Sequence, residues 1–161
     1  MAIAHDNVTT YKRQLISEIV NNESIVEAIG SKAATYIEGQ GDSLIGTNVF
    51  PMLYVPNIQD ESAVYVGVEA EIISENRSNS IFHNWRVTLW VMAHRDMLYW
   101  RERGVSRIDF ISDELKKMFQ DSSKYGYGAL QVSNNRVHLL NPKYTYRQLE
   151  LQTVDLKRAF V

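Results

Sequence analysis

Two pairs of side chains in this sequence have the types and spacing that catalysis could use. Glu69 and Glu71 fall on one side of an alternating, strand-like stretch, which would place their carboxylates about 7 Å apart. Glycoside hydrolases use a carboxylate pair of this kind. His94 and Asp96 could share a proton or bind a cation. A solvated strand face and a polar strand end explain the same four residues, and we favour these structural interpretations.

Patterns for metal, nucleotide or nucleophile chemistry are missing from the sequence. The chain has no cysteine, and His5, His83 and His138 are scattered without the close spacing of metal ligands. Residues 125–128 (YGYG) are rich in glycine but lack the lysine of a phosphate-binding loop, and no GxSxG motif occurs. We therefore expect no catalytic residue, no metal and no cofactor, and we expect that the protein is not an enzyme.

A third group of residues is more typical of a protein interface than of a reaction. Trp90 and Met92 alternate with the apolar face of their stretch, and Tyr144 and Tyr146 do the same in the last stretch. If helices cover only one face of the sheet, these large side chains lack an internal partner, and exposed patches of this type mark interfaces. We predict that all four contact a neighbouring subunit. The alternative is that the loop 31–62 covers them as a second core layer.

The composition limits the class of protein. A chain of 161 residues fits one domain, residues 1–161. Seventeen Lys+Arg against nineteen Asp+Glu give no basic field, so we expect no direct, sequence-specific binding of nucleic acid. No stretch approaches the roughly 18 apolar residues of a membrane span, and the N-terminus lacks a signal-peptide pattern. We expect a protein that folds in a reducing cytoplasm and does not enter a membrane.

The elements that position these residues begin with helices. Residues 8–30 have helical periodicity with a break at Asn21, which predicts two short helices. Ser24 and Glu27 have capping-box spacing at the start of the second helix, and Gly30 suits its end. Residues 31–62 are interrupted by glycine and proline, which predicts a long loop or arm with one short strand around 50–55.

The rest of the chain alternates like a sheet. Residues 64–72 and 85–93 predict an antiparallel pair joined by the polar turn 75–80, and 104–119 predicts a helix. Residues 129–140 predict a hairpin that turns at Asn134 and Asn135. The last strand, 144–156, has mixed parity, which indicates a bulge or a covered second face.

This order predicts the α+β class. An antiparallel or mixed sheet would pack against the N-terminal helices and one crossing helix, with the sheet and helix core at about 63–158.

The layout resembles the small ring-forming proteins at the neck of tailed bacteriophages, above all the tail-terminator (tail-completion) family. The stretches that carry the likeness are 11–20 (YKRQLISEIV), 84–94 (NWRVTLWVMAH), 104–115 (GVSRIDFISDEL) and 148–155 (QLELQTVD). The resemblance rests on layout and not on signature residues, so it assigns no individual site. The long segment 31–62 exceeds the minimal layout of that family.

The resemblance implies a tail-terminator-like fold and a homo-oligomer, a six-subunit ring at the head–tail junction of the virion. Its partners would be the tail tube protein and the head connector or head-closure protein, and it would be made in the host cytoplasm. Its function would be to end the tail tube and join tail to head. The alternatives are another neck component, such as a head-closure or connector ring, and a small ligand-binding or enzymatic domain that uses Glu69, Glu71, His94 and Asp96.

Overall fold

The structure is a computed structural model that describes residues 8–30, 41–56, 62–75, 82–125 and 128–156. Within these ranges the helices are α1 (Val8–Val20), α2 (Glu23–Ile29), α3 (Arg95–Leu98) and α4 (Arg107–Phe119), and a 3-10 turn spans Gly41–Leu44. The strands are β1 (Val49–Phe50), β2 (Val64–Glu75), β3 (Phe82–His94), β4 (Tyr99–Trp100), β5 (Val105–Ser106), β6 (Gln131–Asn141) and β7 (Tyr144–Leu156).

Five of the strands form one mixed sheet in the order β1-β2-β3-β7-β6. β1 is parallel to β2, and the other pairs are antiparallel. The predicted pairing of the strands around 64–72 and 85–93 is confirmed, and so is the α+β class. β4 and β5 form a separate small hairpin before α4.

Two separate helices open the described chain, as predicted. Tyr11, Leu15 and Ile19 bury the apolar stripe of α1 completely. The predicted start of α2 is wrong: Asn22 is its N-cap and not Ser24, because the Asn22 side chain accepts a hydrogen bond from the Ile25 amide at 3.0 Å. Gly30 ends α2 with a φ of 62°, as expected. None of the helices in the described ranges has both the length and the apolar character of a membrane span.

The main core lies on one face of the sheet. Strand alternation places Val68, Leu89 and Leu149 side by side on β2, β3 and β7, all without exposed surface. Helices α1, α2 and α4 cover this face. α4 buries Ile108, Ile111 and Leu115, and it begins at Arg107 and not at Gly104. Gly104, with a φ of 66°, lies instead in the turn between β4 and β5.

The predicted hairpin at 129–140 is wrong. β6 runs through Asn134 and Asn135 as one strand, and the chain reverses after Asn141. The Asn141 side-chain oxygen accepts hydrogen bonds from the amides of Lys143 and Tyr144 at 2.9 and 3.0 Å, which stabilises this turn. Polar residues are tolerated inside β6 because it is an edge strand that is mostly exposed. The pairing of β6 with β7 has two register shifts, and each has its extra residue on β6. β7, the strand for which a bulge was considered, pairs with β3 without a shift.

The predicted arm is described only in part, since residues 31–40 and 57–61 lie outside the described residues, as does most of the predicted turn 75–80. Segment 41–56 starts with the 3-10 turn and continues into β1. The strand expected around 50–55 is shorter and earlier, Val49–Phe50, because only these residues pair with Val66 and Gly67 of β2. Segment 41–56 therefore lies along the β2 edge of the sheet.

Candidate functional site

The second face of the sheet has its own aromatic cluster. Tyr65, Met92 and Tyr144 are its buried centre. Phe50 and Tyr54 of segment 41–56 stack on each other at 4.1 Å between ring centroids, and Tyr54 lies 5.0 Å from Tyr65. Segment 41–56 thus covers one end of this face with aromatic side chains, and it forms the second core layer that the sequence left as an alternative.

The four predicted interface residues divide into two pairs. Met92 and Tyr144 have no exposed surface, so the expectation that they lack an internal partner is wrong. Trp90 and Tyr146 are half-buried at the border of the aromatic cluster, and their role in a subunit interface stays a prediction. The prediction failed because Phe50 and Tyr54 of the distant segment 41–56 join this cluster, and the alternation within a strand does not reveal such contacts.

Gly67 allows segment 41–56 to approach the sheet closely. A Cβ atom at this position would lie 2.7 Å from the Met52 carbonyl oxygen and 3.4 Å from the Trp90 ring. The first distance is shorter than a real contact, so any side chain here would displace the backbone of the segment. In the sequence, Gly67 is visible only as one position of the alternating stretch 64–72.

Exposed apolar side chains gather at the two opposite edges of the sheet. The arm patch consists of Ile45, Met52, Leu53 and Val55 in segment 41–56, which are 43–58% exposed. The edge patch consists of Val137 and Leu139 of β6, which are 53% and 73% exposed. Segment 41–56 contains β1, which is the first strand of the sheet, and β6 is the last strand on the other side, so the full width of the sheet separates the patches.

The arm patch was not predicted from the sequence. Its signal was the apolar run 52–55 between Pro51 and Pro56, since consecutive apolar residues in a loop cannot all face one core. The hairpin predicted at 129–140 would have paired Val137 and Leu139 with Val132 and Leu130. β6 instead leaves both at the outer edge.

The charges of the two edge segments have opposite sign, and Lys12 and Arg13 of α1 lie beside Asp42 in the same groove. Segment 41–56 and β2 contain Asp42, Glu69, Glu71 and Glu75 and no lysine or arginine. β6 and the turn after it contain Arg136, His138 and Lys143 and no acidic residue. Within the described residues, Glu69 forms an ion pair with Lys12 and Glu71 with Arg86, whereas Asp42 and Arg136 form none. Among the described residues, the negative charge of Asp42 at one edge and the positive charge of Arg136 at the other therefore remain without an ion pair.

The four residues considered for catalysis form two separate pairs: Glu69 and Glu71 lie on β2, and His94 Nδ1 lies 3.4 Å from a carboxylate oxygen of Asp96 after β3. Glu69 pairs in register with Thr88, and His94 lies six residues further along β3, which is about 20 Å away. The buried His94 ring packs edge-on against Tyr144, and its Nδ1 accepts a hydrogen bond from the Asp96 amide at 3.2 Å. This bond caps α3. The two glutamates are engaged by Lys12 and Arg86, so each residue has a structural partner.

The described residues offer little to a metal or a cofactor. They contain no group of three or more His, Asp or Glu side chains that could hold a metal ion. A groove of about 690 Å³ lies between α1 and segment 41–56, lined by Ile16, Ile45 and Pro51 with Arg13 and Asp42. The charged side chains of the lining are Lys12, Arg13 and Asp42, and Lys12 is engaged by Glu69 and by the Pro51 carbonyl.

An arginine pair ties the β4–β5 hairpin to the helices. Arg107 donates a hydrogen bond from Nη1 to the Ala28 carbonyl at 2.7 Å, at the carboxyl end of α2, and stacks 4.9 Å from the Trp100 ring. Burial lowers the pKa of Arg107, partly offset by Glu102. The Arg103 guanidinium carbon lies 4.9 Å from the centroid of the Trp100 ring. Arg103 also forms an ion pair with Glu27 at 2.9 Å. These contacts are structural.

A comparison with protein families identifies the group to which this molecule belongs. The model of the YomW family matches residues 22–153, from the N-cap of α2 into β7. No curated protein matches the sequence. The match covers most of the 161 residues and includes both apolar patches and the aromatic cluster. Because the matched residues make up more than half of the chain, the chain belongs to the YomW family, whose name is of the phage or prophage type.

Proposed function

We propose that this chain is a structural, non-enzymatic subunit of a tailed-phage virion that forms a ring at the head–tail junction. The ring of six copies ends the tail tube and joins tail to head. One side contacts the tail tube protein, and the other contacts the head connector or head-closure protein. The subunit is made in the host cytoplasm and assembles without a cofactor.

The observation that carries this proposal is the pair of apolar patches at opposite edges of one sheet. A closed ring needs two different surfaces on each subunit that meet head to tail. The arm patch and the edge patch are different in composition and location, and both expose side chains such as Val55 and Leu139. Exposed apolar groups of this size favour protein contacts over solvent.

The candidate catalytic residues have structural partners within the subunit, which fits a structural protein. His94 caps α3, and Glu69 and Glu71 form ion pairs with Lys12 and Arg86. Side chains held in this way stabilise the sheet and its neighbours. The phage association of the family is consistent with a virion component.

Light scattering on the purified protein tests the proposal. We expect a species about six times the 18.6 kDa mass of one chain, seen as rings by negative-stain electron microscopy. Added to preformed tail tubes of its own phage, the protein should bind at tube ends and stop their growth. A strict monomer that ignores both tubes and head connectors contradicts the proposal. Preference for connectors over tubes would instead indicate a head-closure or connector ring.

A further inference from the structure

We infer that the arm patch of one subunit docks on β6 of the next subunit, so that each contact joins opposite edges of two copies. The inference rests on the proposed ring and names its interface. The occupant of each patch is therefore a second copy of this chain. It follows from the exposed apolar side chains of both edges, the fixed position of segment 41–56 on the sheet, and the charges of the two edges.

The edge patch has no cover within the described chain. In register, Val137 lies beside Arg147 and Leu139 beside Thr145, so their neighbours on β7 are polar and do not belong to the core. β6 is an 11-residue edge strand without a strand on its outer side in the described part of the sheet. Proteins normally protect such edges, because unpaired backbone groups bind other chains. β6 thus offers backbone groups and two apolar side chains to a partner.

The arm patch has a fixed position on the sheet before any partner binds. Phe50 and Tyr54 point into the aromatic cluster and fix the segment on the sheet, while Met52, Leu53 and Val55 remain exposed between and beyond them. Close packing over Gly67 restricts the segment further. A preformed surface loses little conformational entropy on binding, which favours association.

The charges select the pairing of unlike edges. Asp42 lies at the arm edge and Arg136 at the β6 edge, and neither forms an ion pair among the described residues. Contacts between two arm edges or two β6 edges would bring like charges together, whereas an arm edge against β6 brings opposite charges together. A contact that repeats head to tail in this way builds a ring when its rotation closes.

Cysteine cross-linking tests this interface directly, since the chain has no cysteine of its own. Val55→Cys and Leu139→Cys are prepared as single variants, and a short bis-maleimide is added to each alone and to their mixture. We expect cross-linked dimers in the mixture at about tenfold the yield of either variant alone. Lys116→Cys, on the exposed end of α4, is the matched control and should cross-link with neither.

A second pair, Met52→Cys with Val137→Cys, repeats the experiment at neighbouring positions, so that failure of one variant to fold does not decide the result. Equal cross-linking of one variant with itself would overturn the inference, because it indicates a symmetric contact. If unmodified protein forms rings and neither pair cross-links, the interface is wrong and the proposed ring stands. If unmodified protein is a monomer, both the interface and the ring are wrong.

Discussion

At the residue scale, Gly67 controls the distance between the sheet and the segment that carries the arm patch. In Gly67→Ala the new methyl group would meet the Met52 carbonyl oxygen at 2.7 Å, so the segment must move away. We expect a loss of about 1–3 kcal/mol in the free energy of unfolding, as for an overpacked site. Amide hydrogen exchange in residues 49–56 should become faster.

The control for this variant is Glu71→Ala, a change on the same face of β2. The Glu71 side chain is 47% exposed and pairs only with Arg86 within the described residues, so its loss should change stability by less than about 1 kcal/mol. Urea unfolding and hydrogen exchange compare the two variants. Unchanged exchange in Gly67→Ala would show that the segment does not depend on this close approach.

Tyr125 makes stability depend on pH in the alkaline range. Burial raises the pKa of its hydroxyl group, and the neighbouring Glu18 carboxylate raises it further. Below pH of about 10 the tyrosine is protonated in both the folded and the unfolded state. Above that pH the unfolded chain loses the proton and the folded chain keeps it, so the free energy of unfolding falls as pH rises.

Tyr125→Phe removes this titration. We expect the variant to lose about 1 kcal/mol at pH 7, where the hydroxyl contributes its polar contacts, and to show a flatter decline above pH 10 than the unmodified protein. Urea unfolding between pH 7 and pH 11 measures both effects. Tyr99→Phe, at a site 62% exposed, serves as the control and should leave the slope unchanged. Equal slopes for all three proteins would contradict the assignment.

At the element scale, period-2 alternation was sufficient to predict β2, β3 and the face of each that meets the helices. The signal was strong because one face packs on an apolar core, so a shift of one residue would expose Val66 or Leu89. The same reasoning failed for β6. An edge strand is exposed on both faces and therefore carries no alternation, and Asn134 then resembled a turn residue.

The position of the turn can be tested by mutation, because a turn after Asn141 and a hairpin turn at Asn134 and Asn135 predict different effects on stability. Asn141→Ala removes the oxygen that accepts from the Lys143 and Tyr144 amides, and we expect a loss of about 1–2 kcal/mol in the free energy of unfolding. Asn134→Val should be neutral or slightly stabilising, because a β-branched residue suits a strand. Urea unfolding compares both variants with the unmodified protein. Strong destabilisation by Asn134→Val would restore the hairpin at 134–135.

At the scale of the whole molecule, the sequence predicted the helical layer correctly. Of the four side chains expected to be uncovered on the second face, only two remain accessible. Trp90 and Tyr146 remain partly accessible. Met92 and Tyr144 are buried in the same cluster as Tyr65, and Phe50 and Tyr54, which lie far away in the chain, pack on Tyr65. Loop residues without period give no indication of the surface they will meet. The arm patch was missed for the same reason, since its location depends on how segment 41–56 crosses Gly67.

Opposite charges at the two edges predict that ring assembly depends on electrostatic attraction. Arg136→Glu makes the β6 edge repel the Asp42 side of a neighbouring copy, so we expect weaker assembly, by tenfold or more in dissociation constant at low salt. Added salt should weaken the unmodified ring, because exposed charges are screened beyond about 10 Å at 0.1 M salt.

Asp42→Lys combined with Arg136→Glu restores the attraction with its sign reversed and should recover assembly. Arg101→Glu, the same change in the exposed β4–β5 turn, is the control. Sedimentation velocity at two salt concentrations measures these effects. If the Arg136→Glu ring is as stable as the unmodified ring, charge attraction does not contribute to the interface.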